Sequence, residues 1–232
     1  MMTLVASVAT AAAVTLLSPA VARADTQHVT LGGVSVALRP HTGQVVTVDH
    51  TRGYHAHLGF WTMQDGRWRR LYDVRDGRIG YGGLARPQHR VQGSGTTPLG
   101  TYGLVSTFGT HAADPRARLP HHRIRRGDHW VQDNASEHYN RLRNQRQGGF
   151  RWWLPASDPD SSERLTDYRR QYEWSIVTDF NVEQVRHRGA GIFLHVNGRG
   201  ATSGCVSAPR RFIRALVRLL DPARVPVIGI SA

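Results

Sequence analysis

Lysine is absent from all 232 residues, so the 30 basic side chains are all arginine. That absence removes several chemistries at once. A P-loop, a Ser-Lys dyad, a Schiff-base enzyme and a pyridoxal site each need a Lys amine at the reacting centre. Cysteine is nearly absent as well: Cys205 stands alone, which excludes an intramolecular disulfide. Acidic residues are the minority, 17 against 30 basic, for a formal net charge of +13. Beyond the first two dozen residues no run is long and apolar enough to span a membrane.

The exception to that last absence is the start of the chain. Leu4 to Leu17 is an uncharged, Ala-rich stretch, followed by Ser18-Pro19 and the small-x-small sites ending at Ala22 and Ala24. Residues 1–24 read as a secretory signal peptide, with the mature protein starting near Asp25 and destined for the cell envelope or the exterior. The segment Met1-Met2-Thr3 carries no Arg or Lys, so an upstream start or an uncleaved anchor also fits. No cysteine follows the apolar run, which excludes lipid attachment there. Residues 25–232 hold no internal repeat and no low-complexity linker, and read as one domain with a sizeable core. A monomer is expected.

Outside a cell, excess arginine points to an anionic envelope more than to nucleic acid, because wall polymers present phosphates and carboxylates that the guanidinium fork binds. Genomic base composition is the plainer explanation of the Arg preference. The arginines are dispersed, and Arg123, Arg125 and Arg126 fall in a loop-like stretch between Pro120 and Gly127, so no nucleic-acid-binding helix is indicated.

Short alternating apolar runs dominate the periodicity. From Val34 to about Ile79 the pattern is β: Val34–Leu38, Gln44–Val48 and Ala56–Trp61 read as strands, with a turn at Asp65-Gly66 ahead of Trp68. Residues 93–104 place Gly and Pro ahead of another strand start. Glycines of this kind let backbone approach a ligand, although on spacing alone a plain hairpin is favoured. From His111 to Ser162 the chain turns polar and Arg-rich and reads as an irregular insertion, a length at which loops often act as lids, anchored by Trp130, Tyr139, Asn140, Trp152 and Trp153. Further strands are expected over 173–179, 189–196 and 225–230. After Pro209, the apolar residues Phe212, Ile213, Leu216, Val217 and Leu220 recur at helical spacing.

Cys205 lies in Gly200-Ala201-Thr202-Ser203-Gly204-Cys205-Val206-Ser207, ten residues after His195. In a secreted chain an unpaired thiol is an oxidation liability, which favours a chemical role over a packing one. Thiolate is the nucleophilic form, and a helix N-terminus following Cys205 would favour it. His195, ending an apolar strand, is placed to take the thiol proton and return it to a leaving amine. The N–H groups of Gly204 and Cys205 are candidate oxyanion donors, and the Thr202 and Ser203 hydroxyls are candidates for orienting the imidazole or the substrate. The alternative is a small buried Cys and a satisfied strand-end His. His55, His57, His121 and His122 invite a zinc reading, but no H-E-x-x-H is present and alternate strand residues divide between core and solvent. No metal and no organic cofactor are expected.

His195 together with Thr202-Ser203-Gly204-Cys205-Val206 resembles the signature of the L,D-transpeptidase (YkuD-type) catalytic domain, a strand-end His followed by [Ser/Thr]-x-Gly-Cys-aliphatic. Gly93 to Tyr102 is similar to the family's Gly-x-x-x-Thr-Pro-x-Gly-x-aromatic segment, and Trp130 to Asn140 is similar to its secreted branch. Many members carry a second His where Ser203 stands and an Arg or Asn where Ser207 stands, and a longer loop between His and Cys. The resemblance implies a mainly β, sandwich-like fold with a short helix after the cysteine. It also implies two-step acyl transfer on peptidoglycan stem peptides through a Cys205 thioacyl-enzyme. The acceptor is left open by the sequence: a diamino-acid amine gives a 3-3 crosslink, water an L,D-carboxypeptidase, a protein amine a wall attachment. A Cys-His peptidase of broader specificity and a non-catalytic wall-binding module are the readings from other classes.

Overall fold

The computed structural model describes residues 27–232. The leader read at 1–24 lies outside the described residues. The chain opens on a hairpin, β1 (His28–Leu31) and β2 (Val34–Ala37), then runs through a meander of β3 (Gln44–Arg52), β4 (His55–Gln64) and β5 (Arg67–Arg78). Two-residue strands β6 (Leu84–Ala85) and β7 (Thr97–Pro98) pair in parallel across the glycine-rich segment, and β8 (Gly100–Gly109) and β9 (His121–Arg123) follow. The insertion carries β10 (Asp128–Trp130), β11 (Leu142–Asn144) and β12 (Glu163–Arg164), and so has a small sheet of its own where an irregular loop was expected. Then come β13 (Ser175–Thr178), β14 (Phe193–Val196), β15 (Val206–Ala208), the helix α1 (Arg210–Leu219) and β16 (Val227–Ser231).

The large sheet has the order β13-β14-β15-β5-β4-β3-β16-β8-β9, and β8 also pairs with β13. The sheet therefore closes on itself into a barrel-like form, mainly β as the sequence indicates. Its strands are apolar on both faces where both are covered. In β3, Val46 and Val48 enter the main core while Val45 packs with Val34, Val36 and Val227 under the β1–β2 hairpin. This double cover produces the unbroken apolar reading of Gln44–Val48. The stripe Phe212, Ile213, Leu216 and Val217 on α1 is buried in the same core as Val46 and Val48. Each such side chain contributes about 1.5–3 kcal/mol by burial.

Period-two alternation on β14 sets the site. Leu194 and Val196 join the helix-side core, while Phe193 joins Phe108, Trp130 and Tyr172 in a second, aromatic cluster that contains Cys205. Phe193 meets Trp130 edge-on at 4.8 Å and Phe108 at 4.9 Å between ring centroids. Trp130, Tyr139 and Asn140 are buried anchors as expected, but Trp152 and Trp153 are 39% and 64% exposed. The loop that carries them is held by Arg151, which bridges Asp133 and Asp160, so it needs no buried tryptophan.

Candidate active site

β14 and β15 run in parallel with Leu194 opposite Val206 and His195 opposite Ser207. This register brings Cys205, immediately ahead of β15, beside Phe193 and on the same side of the sheet as His195. Both side chains open into one cavity of about 770 Å³, whose wall also includes Arg90, Glu163, Trp153 and Ser203. A space of that size takes a peptide-sized ligand.

The thiol is tied to backbone. Cys205 Sγ donates to Gly191 O at 3.2 Å and accepts from Phe193 N at 3.4 Å. Gly191 is itself fixed by the insertion: its N–H donates to Asn140 Oδ1 at 2.9 Å, which also accepts from Trp130 Nε1 at 2.8 Å. Asn140 spends its amide protons on Phe180 O and Asn181 O, so every polar group of this buried hub is satisfied. The insertion thus reaches the Cys205 thiol through two hydrogen bonds.

His195 Nδ1 lies 2.9 Å from Val196 O. A carbonyl only accepts, so Nδ1 carries the proton and Nε2 keeps its lone pair, the tautomer a general base requires. Burial pushes the His195 pKa down to about 4, with the Val196 carbonyl opposing. Burial, reinforced by Glu163, pushes the Cys205 thiol up to about 12, with the Phe193 N–H and Arg90 opposing. The resting pair is therefore neutral thiol and neutral imidazole, and charge separates only on reaction.

The local readings of 202–205 are revised by the geometry. Gly204 N–H donates to Thr202 Oγ1 at 3.1 Å, so it is not free to face an oxyanion. Thr202 Oγ1 in turn donates to Cys205 O at 2.6 Å, which makes Thr202 a brace of the turn and leaves it no hydroxyl proton for the imidazole. Ser203 is exposed on the cavity wall. The three residues of β15, about 10 Å of strand, and Pro209 separate Cys205 from α1, so the helix terminus does not act on the thiol. Ser207 is fully buried and its hydroxyl donates to Asn197 Oδ1 at 2.7 Å.

The glycine-rich segment packs under the cysteine turn. Thr97 Oγ1 accepts from Gly80 N at 2.8 Å and donates to Gly204 O at 2.8 Å. Thr97→Val leaves two buried backbone groups unpaired, and is expected to cost about 2–4 kcal/mol. Chemical denaturation measures it; a loss under 1 kcal/mol would mean that the turn finds other partners. Gly204 itself has φ +127°, and a Cβ there would lie 2.9 Å from both Thr96 O and an Arg90 terminal nitrogen, so only glycine fits.

Arg90 was not marked by the sequence, being one arginine among 30. It is buried, its Nε donating to Thr96 O at 2.8 Å and Nη1 to Arg188 O at 2.9 Å, and Nη2 is left beside Gly204. Glu163 and Tyr172 were missed as well, since nothing local distinguishes them. The four histidines weighed for zinc are spoken for separately: His57 pairs with Asp73, His122 with Asp128, His121 with Thr107, and His55 stacks on Tyr54. Among the described residues no cluster of three or more metal-ligating side chains occurs.

Among solved structures, the chain is similar to the helical cell shape determining protein Pgp2 from Campylobacter jejuni at 13% identity and a TM-score of 0.42, covering 82% of this chain and 47% of that one. Bd1075 of Bdellovibrio bacteriovorus gives 16% identity and a TM-score of 0.37, over 82% and 48%. The chain spans about half the length of these structures. No curated protein matches it by sequence. The family model for the L,D-transpeptidase catalytic domain, YkuD, matches residues 43–228, which include His195, Cys205 and all nine strands of the closed sheet at least in part. The chain belongs to the L,D-transpeptidase catalytic-domain family.

Proposed function

We propose that this protein is an extracytoplasmic acyltransferase acting on peptidoglycan stem peptides, with Cys205 as nucleophile and His195 as its base. The observation that carries this reading is the shared cavity: a thiol and an imidazole with a free Nε2, on adjacent parallel strands, open into the same peptide-sized space. In the first step Cys205 Sγ attacks the carbonyl of the third, diamino-acid residue of a tetrapeptide stem as Nε2 takes the thiol proton. The oxyanion meets the Cys205 N–H and the Arg90 guanidinium, the donors left beside the turn once Gly204 N–H is engaged. Collapse expels D-Ala, protonated by His195, and leaves a thioester. A second stem's amine then resolves it to a 3-3 crosslink. Residues 1–24 as a leader carry the protein to this substrate, and the charge of +12 that remains once Arg23 leaves with them favours anionic wall polymers.

Intact mass after incubation with a carbapenem, beside a Cys205→Ala control, tests the reading. One adduct, lost in the control, is the expected result. A folded wild type with a free thiol and no adduct points instead to a non-catalytic wall-binding module. Cleavage of ordinary L-L peptides points to a Cys-His peptidase, and tripeptide as the sole product points to an L,D-carboxypeptidase.

A further inference from the structure

We infer that Glu163 forms a subsite for the primary ammonium group of the acyl acceptor, on the wall of the cavity that holds Cys205. The inference rests on the acyltransferase reading and selects, among its acceptors, an amine over water.

Glu163 opens β12 and stands opposite Trp130 of β10, so the insertion holds it against the aromatic cluster that surrounds the nucleophile. One carboxylate oxygen accepts from the Tyr172 hydroxyl, and the Tyr172 ring meets the His195 ring edge-on at 5.4 Å. Glu163 is thus one hydrogen bond beyond the ring that borders the base. Its second oxygen has no partner among the described residues. Eight other carboxylates are ion-paired with an arginine. Glu163 is not, in a chain with 30 arginines. A half-buried carboxylate left without a cation is costly unless it takes up a proton or a cation arrives from outside. Asp167 lies on the same wall and adds to the negative potential. Arg90, Arg164 and Arg199 also line the cavity, where they suit carboxylates of a stem peptide.

The chemistry fits a carboxylate at this place. An acceptor ammonium docked on Glu163 gives it one proton, and the amine lone pair forms the C–N bond as the thioester C–S bond breaks. The second N–H proton passes through His195 Nε2 to the departing thiolate, and Glu163 returns its proton to solvent. Burial pushes the Glu163 carboxyl up to about 7, with the Tyr172 hydroxyl opposing, so the group exchanges protons at working pH.

The test follows the fate of the thioester in the full chain. Wild type and Glu163→Gln receive a tetrapeptide stem with a diamino acid at its third residue, and mass spectrometry gives the ratio of crosslinked dimer to hydrolysed tripeptide. The expected result is at least a tenfold fall of that ratio in Glu163→Gln, with the KM for acceptor raised. Hydroxylamine, a neutral amine at pH 7, is expected to resolve both acyl-enzymes equally, which a general loss of structure would not allow. An unchanged ratio overturns the subsite, as does a wild type that yields tripeptide alone. Equal loss toward hydroxylamine also overturns it, since Glu163 then acts on the site as a whole. Absence of the carbapenem adduct in wild type is a separate failure, that of the acyltransferase reading.

Discussion

Replacing His195 with Gln is expected to slow acylation of Cys205 by about 10²–10⁴-fold, the usual contribution of a positioned base. The reason is the thiol's own acidity. With the Cys205 pKa near 12, only about one molecule in 10⁵ carries a thiolate at pH 7, and burial, not a helix terminus, sets that value. Without a base the variant depends on that fraction, so its acylation rate rises roughly tenfold per pH unit between pH 7 and 10. Wild type is flat over this range, because thiol and neutral imidazole are both already in the required state. Its acid limb falls near pH 4, where His195 protonates, and not near 6.5. Equal slopes for the two proteins would remove His195 from the base's role.

The same shift gives a stability signature of known sign. The unfolded chain binds a proton at this histidine below pH 6.5, the folded chain only near pH 4, so wild type loses stability as pH falls between those values. The loss is on the order of 3 kcal/mol if His195 acts alone. His195→Gln lacks it. Melting both proteins at pH 7.5 and 4.5 reads the difference directly, since every other titrating group is shared.

Gly80→Ala is expected to be the most damaging small substitution outside the reacting pair. A Cβ at Gly80 would lie 1.9 Å from Gly95 O and 2.9 Å from Gly204 Cα. Both neighbours are backbone, so no rotamer change relieves the overlap. The strands must part, by about 3 kcal/mol or more, or roughly 6–12 °C in Tm for a chain of this size. Because Gly80 also bridges to Thr202, the displacement reaches the Cys205 turn, and acylation falls with stability. Gly83→Ala is the control: its φ is +73°, but nothing lies within 4 Å, so the cost is only the backbone strain of about 1 kcal/mol. Equal melting temperatures for the two variants would show that the glycine-rich segment is not packed under the cysteine turn.

Much of the barrel was readable from periodicity because its strands alternate or run apolar according to how many faces they bury. β5 was placed only by the turn ahead of it, at Asp65-Gly66. Arg67–Arg78 is mostly exposed and Arg-rich, with Val74 and Gly77 buried, and its strand character comes from pairing with β4 along nearly its whole length. A pairing partner that supplies hydrogen bonds to a polar sequence leaves no hydrophobic pattern behind. The helix after Pro209 was legible for the opposite reason, its four buried residues falling on one stripe. Trp152 and Trp153 were misread because size suggested burial, whereas the Asp133–Arg151–Asp160 network holds their loop from its polar side.

By itself the sequence singled out Cys205 as the candidate nucleophile and His195 as its candidate partner. A lone cysteine, the absence of lysine, and a strand-end histidine ten residues away are local facts that spacing preserves. Tertiary structure alone decided what surrounds them. Arg90 reaches the carbonyl of Arg188, Thr97 reaches Gly204, and Asn140 fixes Gly191, each across 50 or more residues of chain. It also decided the protonation states, since burial is a property of the assembled cavity and of no segment. Whether a backbone N–H at Gly204 is free depends on a Thr202 rotamer, and whether Glu163 has a cation depends on where the arginines finally sit. Local sequence encodes which face a residue takes; only closure of the sheet brings those faces together.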